Sequence, residues 1–182
     1  MRKYVLIAAL LASTAAWAGD YASFDFSRKD KQNSGQVNDV YGLNVGHKFD
    51  GGFAIEGRME DEVVNTPKHE GLVQVKGIYD LGTWSGVTPY AALGTGYKSK
   101  STTNFNFYVA EVGAKADLGP VNVKYAYRQR DAYDTGNSYN THENSLTVGY
   151  NLTKQDSISI KYAQERGDSD YNTWGVGYTR RF

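Results

Sequence analysis

Trp174-Gly175-Val176-Gly177-Tyr178-Thr179-Arg180-Arg181-Phe182 closes the chain. Apolar or aromatic residues fill every second position as far as Tyr178 and return at Phe182, with small or polar residues between them. Successive side chains of a β-strand point to opposite faces, so this segment reads as a strand oily on one side and polar on the other. The alternation recurs upstream in Ile158, Ile160 and Tyr162, in Leu146, Val148, Tyr150 and Leu152, and in Val121, Val123, Tyr125 and Tyr127. It is clearest where Tyr108, Ala110, Val112, Ala114, Ala116 and Leu118 interleave with Glu111, Gly113, Lys115 and Asp117. Around Pro89 the pattern weakens, and Tyr90 and Ala91 fit either face.

Ten alternating segments emerge, at 20–28, 37–49, 53–61, 69–81, 87–98, 105–118, 121–130, 142–152, 157–165 and 172–182. Each is about the length that a tilted strand needs to cross hydrocarbon. Short turns (50–52, 82–86, 119–120, 153–156) alternate with longer polar connections (29–36, 62–68, 99–104, 131–141, 166–171). Short turns at one end and longer loops at the other, with an even strand number, are the connectivity of a membrane barrel. A mean hydropathy of −0.57, with no long apolar run after residue 18, excludes helical spans. Only a closed barrel then satisfies every backbone amide in lipid without exposing an edge. The expected fold is all-β: a single antiparallel up-and-down transmembrane β-barrel of ten strands, with eight as the alternative. The 15 tyrosines suit interfacial girdles, and many of the 20 glycines suit crowded lumen positions.

Residues 1–18 read as a cleaved signal peptide. Arg2 and Lys3 form the charged region, residues 4–11 the apolar one, and Ala16-Trp17-Ala18 a small-x-small cleavage site. Residues 19–182 would form the barrel, a mature chain with a formal charge of about −2, exported through the periplasm to the outer membrane of a Gram-negative bacterium. That charge offers no field to attract nucleic acid. With no cysteine in the chain, there is no disulfide framework.

Along its mature length the chain resembles small outer-membrane β-barrel proteins of the OmpA-like and porin-like kind. Trp174, Val176, Tyr178 and Phe182 resemble the C-terminal signal read by the barrel-assembly machinery, with Arg180 where such signals carry another apolar or aromatic residue. A narrower likeness lies in Val45-Gly46-His47-Lys48-Phe49-Asp50-Gly51-Gly52-Phe53-Ala54-Ile55-Glu56-Gly57-Arg58, which resembles an early hairpin of the porins specific for acidic oligosaccharides such as oligogalacturonate. Those porins are longer barrels with basic tracks in the lumen. The resemblance implies outer-membrane lipid, lipopolysaccharide, the assembly machinery and small anionic solutes as partners.

Alternation assigns Lys48, Arg58, Lys76, Lys115, Lys124, Arg128, Arg130, Lys161 and Arg181 to the lumen, with Asp25, Glu56, Glu60, Glu111, Asp117 and Glu165 as the inward acids. This cationic excess implies a narrow passive channel with weak anion preference. The competing reading is a non-conducting structural or surface-interaction barrel whose charges pair across a plugged lumen. The hairpin through Gly119-Pro120 sets Glu111 opposite Arg128, an expected ion pair, and Lys115 opposite Lys124, a like-charge contact that asks for a counterion.

No catalytic residue, metal or cofactor is expected. His142-Glu143-Asn144-Ser145 has the residue types of an esterase site, but neighbours along a strand face opposite ways. His47 and His69 lack a second ligand at metal-binding spacing. Glu60-Asp61-Glu62, Asp168 and Asp170 read as solvated loop acids, with Ca²⁺ or lipopolysaccharide bridging as the sharper alternative. Nothing in the sequence sets an oligomeric state.

Overall fold

A computed structural model describes residues 19–32, 34–64, 68–100, 103–134, 139–168 and 170–182, so the expected signal peptide lies outside the described residues. Ten strands follow one another: β1 (Asp20–Lys31), β2 (Val37–Lys48), β3 (Phe53–Val64), β4 (Lys68–Asp80), β5 (Val87–Ser99), β6 (Asn104–Leu118), β7 (Val121–Ala132), β8 (Asn140–Asn151), β9 (Asp156–Gly167) and β10 (Tyr171–Arg181). Each pairs antiparallel with its sequence neighbour, and β1 pairs with β10 to close the barrel. All ten expected segments are present. Several run further at the loop end, where β1 continues through Lys31 and β3 through Val64, because β-pairing carries on past the apolar stripe.

The register also fixes the tilt. From Phe24 the pairing passes through Leu43, Met59, Val73 and Tyr97 and, followed around the wall, returns to β1 twelve residues further on. Ten strands with that stagger lean at about 40° to the barrel axis. One end carries Gly19, Phe182 and the turns, including Gly51-Gly52 and Gly119, whose φ values of 85°, 86° and 71° suit glycine. The five other connections lie at the opposite end; with the strands running into the stretches read as loops, these are not consistently longer than the turns, since 65–67 and 168–170 are shorter than 81–86.

The outer wall is the apolar one. Leu93, Val112, Ile160 and Val176 are among its most exposed residues. Aromatics bracket this band, with Phe49, Phe53, Tyr150 and Phe182 at the turn end and Tyr97, Tyr108, Tyr162 and Trp174 towards the loop end. Tyr90, which the sequence left on either face, points inward and is buried.

Large inward side chains lie against inward glycines of adjoining strands. A Cβ at Gly113 would meet the Tyr90 ring, one at Gly46 the Tyr21 ring, one at Gly96 the Phe107 ring and one at Gly42 the Asp25–Arg58 pair. The glycines that read only as generic lumen residues are therefore paired notches for particular side chains. At the loop end Leu72, Phe105, Phe107, Val109 and Tyr139 pack into an apolar cluster inside the barrel, with the Tyr139 ring tilted against Phe105 at 4.7 Å.

Gly113→Ala, whose methyl group would press on the Tyr90 ring and the Tyr125 carbonyl, is expected to cost about 1–3 kcal/mol. Gly71→Ala, which meets nothing within 4 Å, should change stability by less than about 0.5 kcal/mol. Urea midpoints of the refolded barrel in detergent read both.

The lumen as candidate functional site

The inward side chains fill a cylinder only ten strands around, so long ones reach past their immediate neighbours. Arg58 on β3 shows this. Its guanidinium donates to both carboxylate oxygens of Asp25 on β1 at 2.8 and 2.9 Å, to Asn44 on β2 at 2.8 Å, and to Glu60 on its own strand. One step closer to the loop end, buried Arg130 on β7 crosses to β4, donating twice to the Gln74 amide oxygen at 3.1 and 2.9 Å, and lies 3.9 Å from Glu60. Its guanidinium also covers the Phe107 ring, 5.5 Å from the centroid.

A second network surrounds Glu111 on β6. It accepts from Lys76 on β4 at 3.1 Å and the Tyr90 hydroxyl at 2.7 Å, and lies 3.2 Å from the Lys124 ammonium. Lys76 also reaches Glu56, which accepts from the Tyr21 hydroxyl at 2.7 Å. A third joins Arg128 and Lys161 to Glu143 at 2.6 and 3.0 Å. Near the loop end Lys29 and Lys98 flank Glu62, which also accepts from Asn38. At the turn end Asp80 holds Lys115 at 2.6 Å and Lys48 at 3.4 Å. Among the described residues no buried side-chain nitrogen or oxygen lacks a hydrogen-bond partner.

All eight lumen residues singled out in the sequence (Arg58, Lys76, Glu111, Lys115, Lys124, Arg128, Arg130 and Lys161) face inward, and Glu111 does stand opposite Arg128 in the register. The expected ion pair between those two does not form. Arg128 has a second register partner, Glu143 on β8, and bonds to it instead, while Glu111 is taken by two lysines. The Lys115–Lys124 juxtaposition is real, and its counterions are Asp80 and Glu111 rather than Asp117. Sequence reasoning missed Lys29 and Lys98 among the inward cations and Glu62, Glu70, Asp80 and Glu143 among the inward acids, so most of the apparent cationic excess disappears. Strand parity could have found Lys98, Glu70, Asp80 and Glu143 within the segments as read, and Lys29 and Glu62 had β1 and β3 been carried to their full lengths.

Glu60 and Glu62 are strand residues engaged with arginine and lysine, and Asp61 points outward to His69 at 3.2 Å, so the acidic triplet does not converge on a cation site. His47 bonds Asp20 at 2.6 Å near the turn end. Glu143 belongs to the lumen network while His142 lies on the outer face beside Tyr127, so these neighbours do not share a site. Trp174, Val176 and Tyr178 form the lipid-facing stripe of β10, Phe182 follows at its end, and Arg180 is held 3.3 Å from Asp156.

The distribution of exposure along the lumen decides what it can do. Towards the turn end the acids are recessed and the ammoniums are wet: side-chain exposure is 38% for Lys115 against 12% for Asp80, 39% for Lys124 against 4% for Glu111, and 34% for Lys161 against 10% for Glu143. On this side β8 to β10 present only short or absent side chains inward, at Thr147, Gly149, Ser159, Gly175 and Gly177. Towards the loop end Arg130, Glu62, Phe107, Val109 and Asn38 are all buried, and the interior is filled.

These features define a transmembrane-type β-barrel with a charged lumen, wet on one side and packed on the other. Solved structures share the fold. A KdgM porin in complex with disordered oligogalacturonate aligns over 89% of this chain and 99% of its own, with TM-score 0.55 and 14% identity. The NanC porin aligns over 87% and 100%, with TM-score 0.54 and 10% identity. An outer-membrane channel from Pseudomonas putida F1 aligns over 92% and 97%, with TM-score 0.56 and 10% identity. No protein-family model and no curated protein matches the sequence.

Removing one partner of a buried pair strands the other charge, so Glu111→Ala is expected to cost about 3–5 kcal/mol. Breaking the exposed Arg180–Asp156 contact with Arg180→Ala should cost less than about 1 kcal/mol. The shift of the unfolding midpoint in urea measures each.

Proposed function

We propose that the barrel is a narrow passive channel of the bacterial outer membrane, weakly selective for small anions and closed in its loop-facing half in the state described. The observation that carries this reading is the radial sorting of charge. Although the lumen is close to neutral, its carboxylates lie against the wall and its ammoniums in the water path, so a passing solute meets Lys115, Lys124 and Lys161 first. Lys161 lies level with the middle of the barrel, so water reaches that depth from the turn end. The packed half, from Arg130 to the Phe105–Phe107–Tyr139 cluster, is the constriction that conduction has to relax.

In this reading residues 1–18 are a cleaved export signal, both ends of the mature chain are periplasmic, and the five loop-end connections face the exterior. Trp174, Val176, Tyr178 and Phe182 serve as the terminal signal for the assembly machinery, and lipopolysaccharide surrounds the outer rim. Acidic sugars are the solute class to test first, because a structurally similar porin was solved with oligogalacturonate. A second reading, a non-conducting structural barrel, draws on the complete hydrogen bonding of the buried polar side chains among the described residues.

The mature protein in planar bilayers is expected to show small discrete conductance steps, with a reversal potential favouring anions in a salt gradient. Lys115→Glu combined with Lys124→Glu should move that potential towards cations, and Arg130→Ala combined with Tyr139→Ala should enlarge the steps. Silence in both the native barrel and the Arg130→Ala/Tyr139→Ala variant would leave the structural reading in place.

A further inference from the structure

The apolar band around the outer wall is not of uniform height. On β5 it runs from Val87 to Tyr97 and on β6 from Leu118 to Tyr108, six outward positions each. On β7 it runs from Val121 to Tyr127 and on β8 from Leu152 to Leu146, four positions each, and on β9 from Ile158 to Tyr162, three. One outward position to the next is two residues, about 6.6 Å along the strand and about 5 Å along the membrane normal at this tilt. The band is thus about 10 Å shorter on β7 and β8 and about 15 Å shorter on β9.

The register places the difference at the loop end. Leu118 pairs with Val121, and Leu152 and Phe182 lie within about 3 Å of the same level, so the turn-end edge is flat on β6 to β8 and a leaning barrel does not account for their step; on β9 Asp156, opposite Arg180, takes the turn-end position, so one of its missing positions lies there. At the other edge Ala110 pairs with Gln129, and Gln129 with His142, so Asn144, one outward position below His142, stands level with Ala110. Asn144 in turn pairs with Gln164. At one height, therefore, one side of the barrel presents alanine and threonine (Ala110, Thr95) and the other presents amides. The tyrosines step down together with the polar residues. The Tyr125 hydroxyl donates to Asn144 at 2.8 Å, and the Gln164 amide donates to the Tyr162 hydroxyl at 2.9 Å. Tyrosine hydroxyls bonded to amides mark the level where hydrocarbon gives way to headgroups.

We infer that the outer leaflet is thinned along β7 to β9, drawing polar lipid headgroups down against Gln129, His142, Asn144 and Gln164. This rests on the membrane placement proposed above. Headgroups fit the patch better than a protein partner does: it offers amides and an imidazole beside tyrosines, of which Tyr125 and Tyr162 already have their hydroxyls engaged, and its large ring, Trp174 lying 4.6 Å from Tyr162, belongs to the aromatic belt that borders headgroups. A bilayer can meet so short a span by thinning locally at modest cost.

Single cysteines test this cleanly because the chain has none of its own. Nitroxides on Gln129→Cys, Asn144→Cys and Gln164→Cys in liposome-reconstituted protein should collide with a water-soluble nickel reagent several-fold more often than nitroxides on the level-matched Thr95→Cys and Ala110→Cys, which should favour oxygen. Asn144→Leu with Gln164→Leu should raise the band and lower nickel contact at Gln129→Cys. Five labels equally oxygen-accessible and nickel-shielded would overturn the inference while leaving the membrane reading intact. Labels on β7 to β9 shielded from both reagents would replace headgroups by a second protein surface. A barrel that urea strips from liposomes would sink the membrane placement and this inference together.

Discussion

Hydrocarbon offers a backbone amide no partner, and the rest of the molecule follows from how the chain meets that constraint. Joining β1 to β10 leaves no unpaired edge in lipid. Once the sheet is closed, the two-residue alternation of a strand becomes an inside and an outside, and the twelve-residue stagger sets the lean of every strand. The outside is then free to be as oily as lipid requires, and the inside has to accommodate everything else.

With ten strands the inside is narrow enough for side chains on different strands to meet. Arg130 crosses from β7 to β4, Arg58 from β3 to β1, and Lys76 from β4 to β6. Burying so many ions is tolerable only because each finds partners, since an isolated charge in this setting would be heavily penalised. The partners are not arranged symmetrically about the axis. Short acidic side chains end near the wall, whereas lysines, with four methylenes, extend into the remaining space, so a lumen of little net charge can still present one sign to a solute.

Much of this was legible in the sequence, because strand parity needs only the residues themselves. The period-two stripe of Tyr108 to Leu118 and the two-residue turn at Gly119-Pro120 gave the β6–β7 register to the residue. What parity does not reveal is choice among several partners. Arg128 has a carboxylate on each side, Glu111 and Glu143, and which one it takes depends on how Lys76, from β4, and Lys124, from its own strand, crowd Glu111. Tyr90 was ambiguous because Pro89 and the alanines around it blur the alternation, and its inward placement depends on the notch left by Gly113. The loop-end cluster escaped notice because Tyr139 lies outside any strand and reaches its place through the β7–β8 connection.

The reach of the interior side chains bears on how the cylinder comes together. Lys76 and Arg130 bond to groups two and three strands away, and Asp25, on the first strand, receives the guanidinium of Arg58 on the third. A sheet still open and flat would hold these groups too far apart to touch, leaving ammoniums and carboxylates facing one another with nothing between them but solvent. The contacts therefore become available together, when curvature is complete, and a half-curled intermediate gains little from them. Such an interior rewards the finished ring over any partial one, and so makes its formation and its loss cooperative.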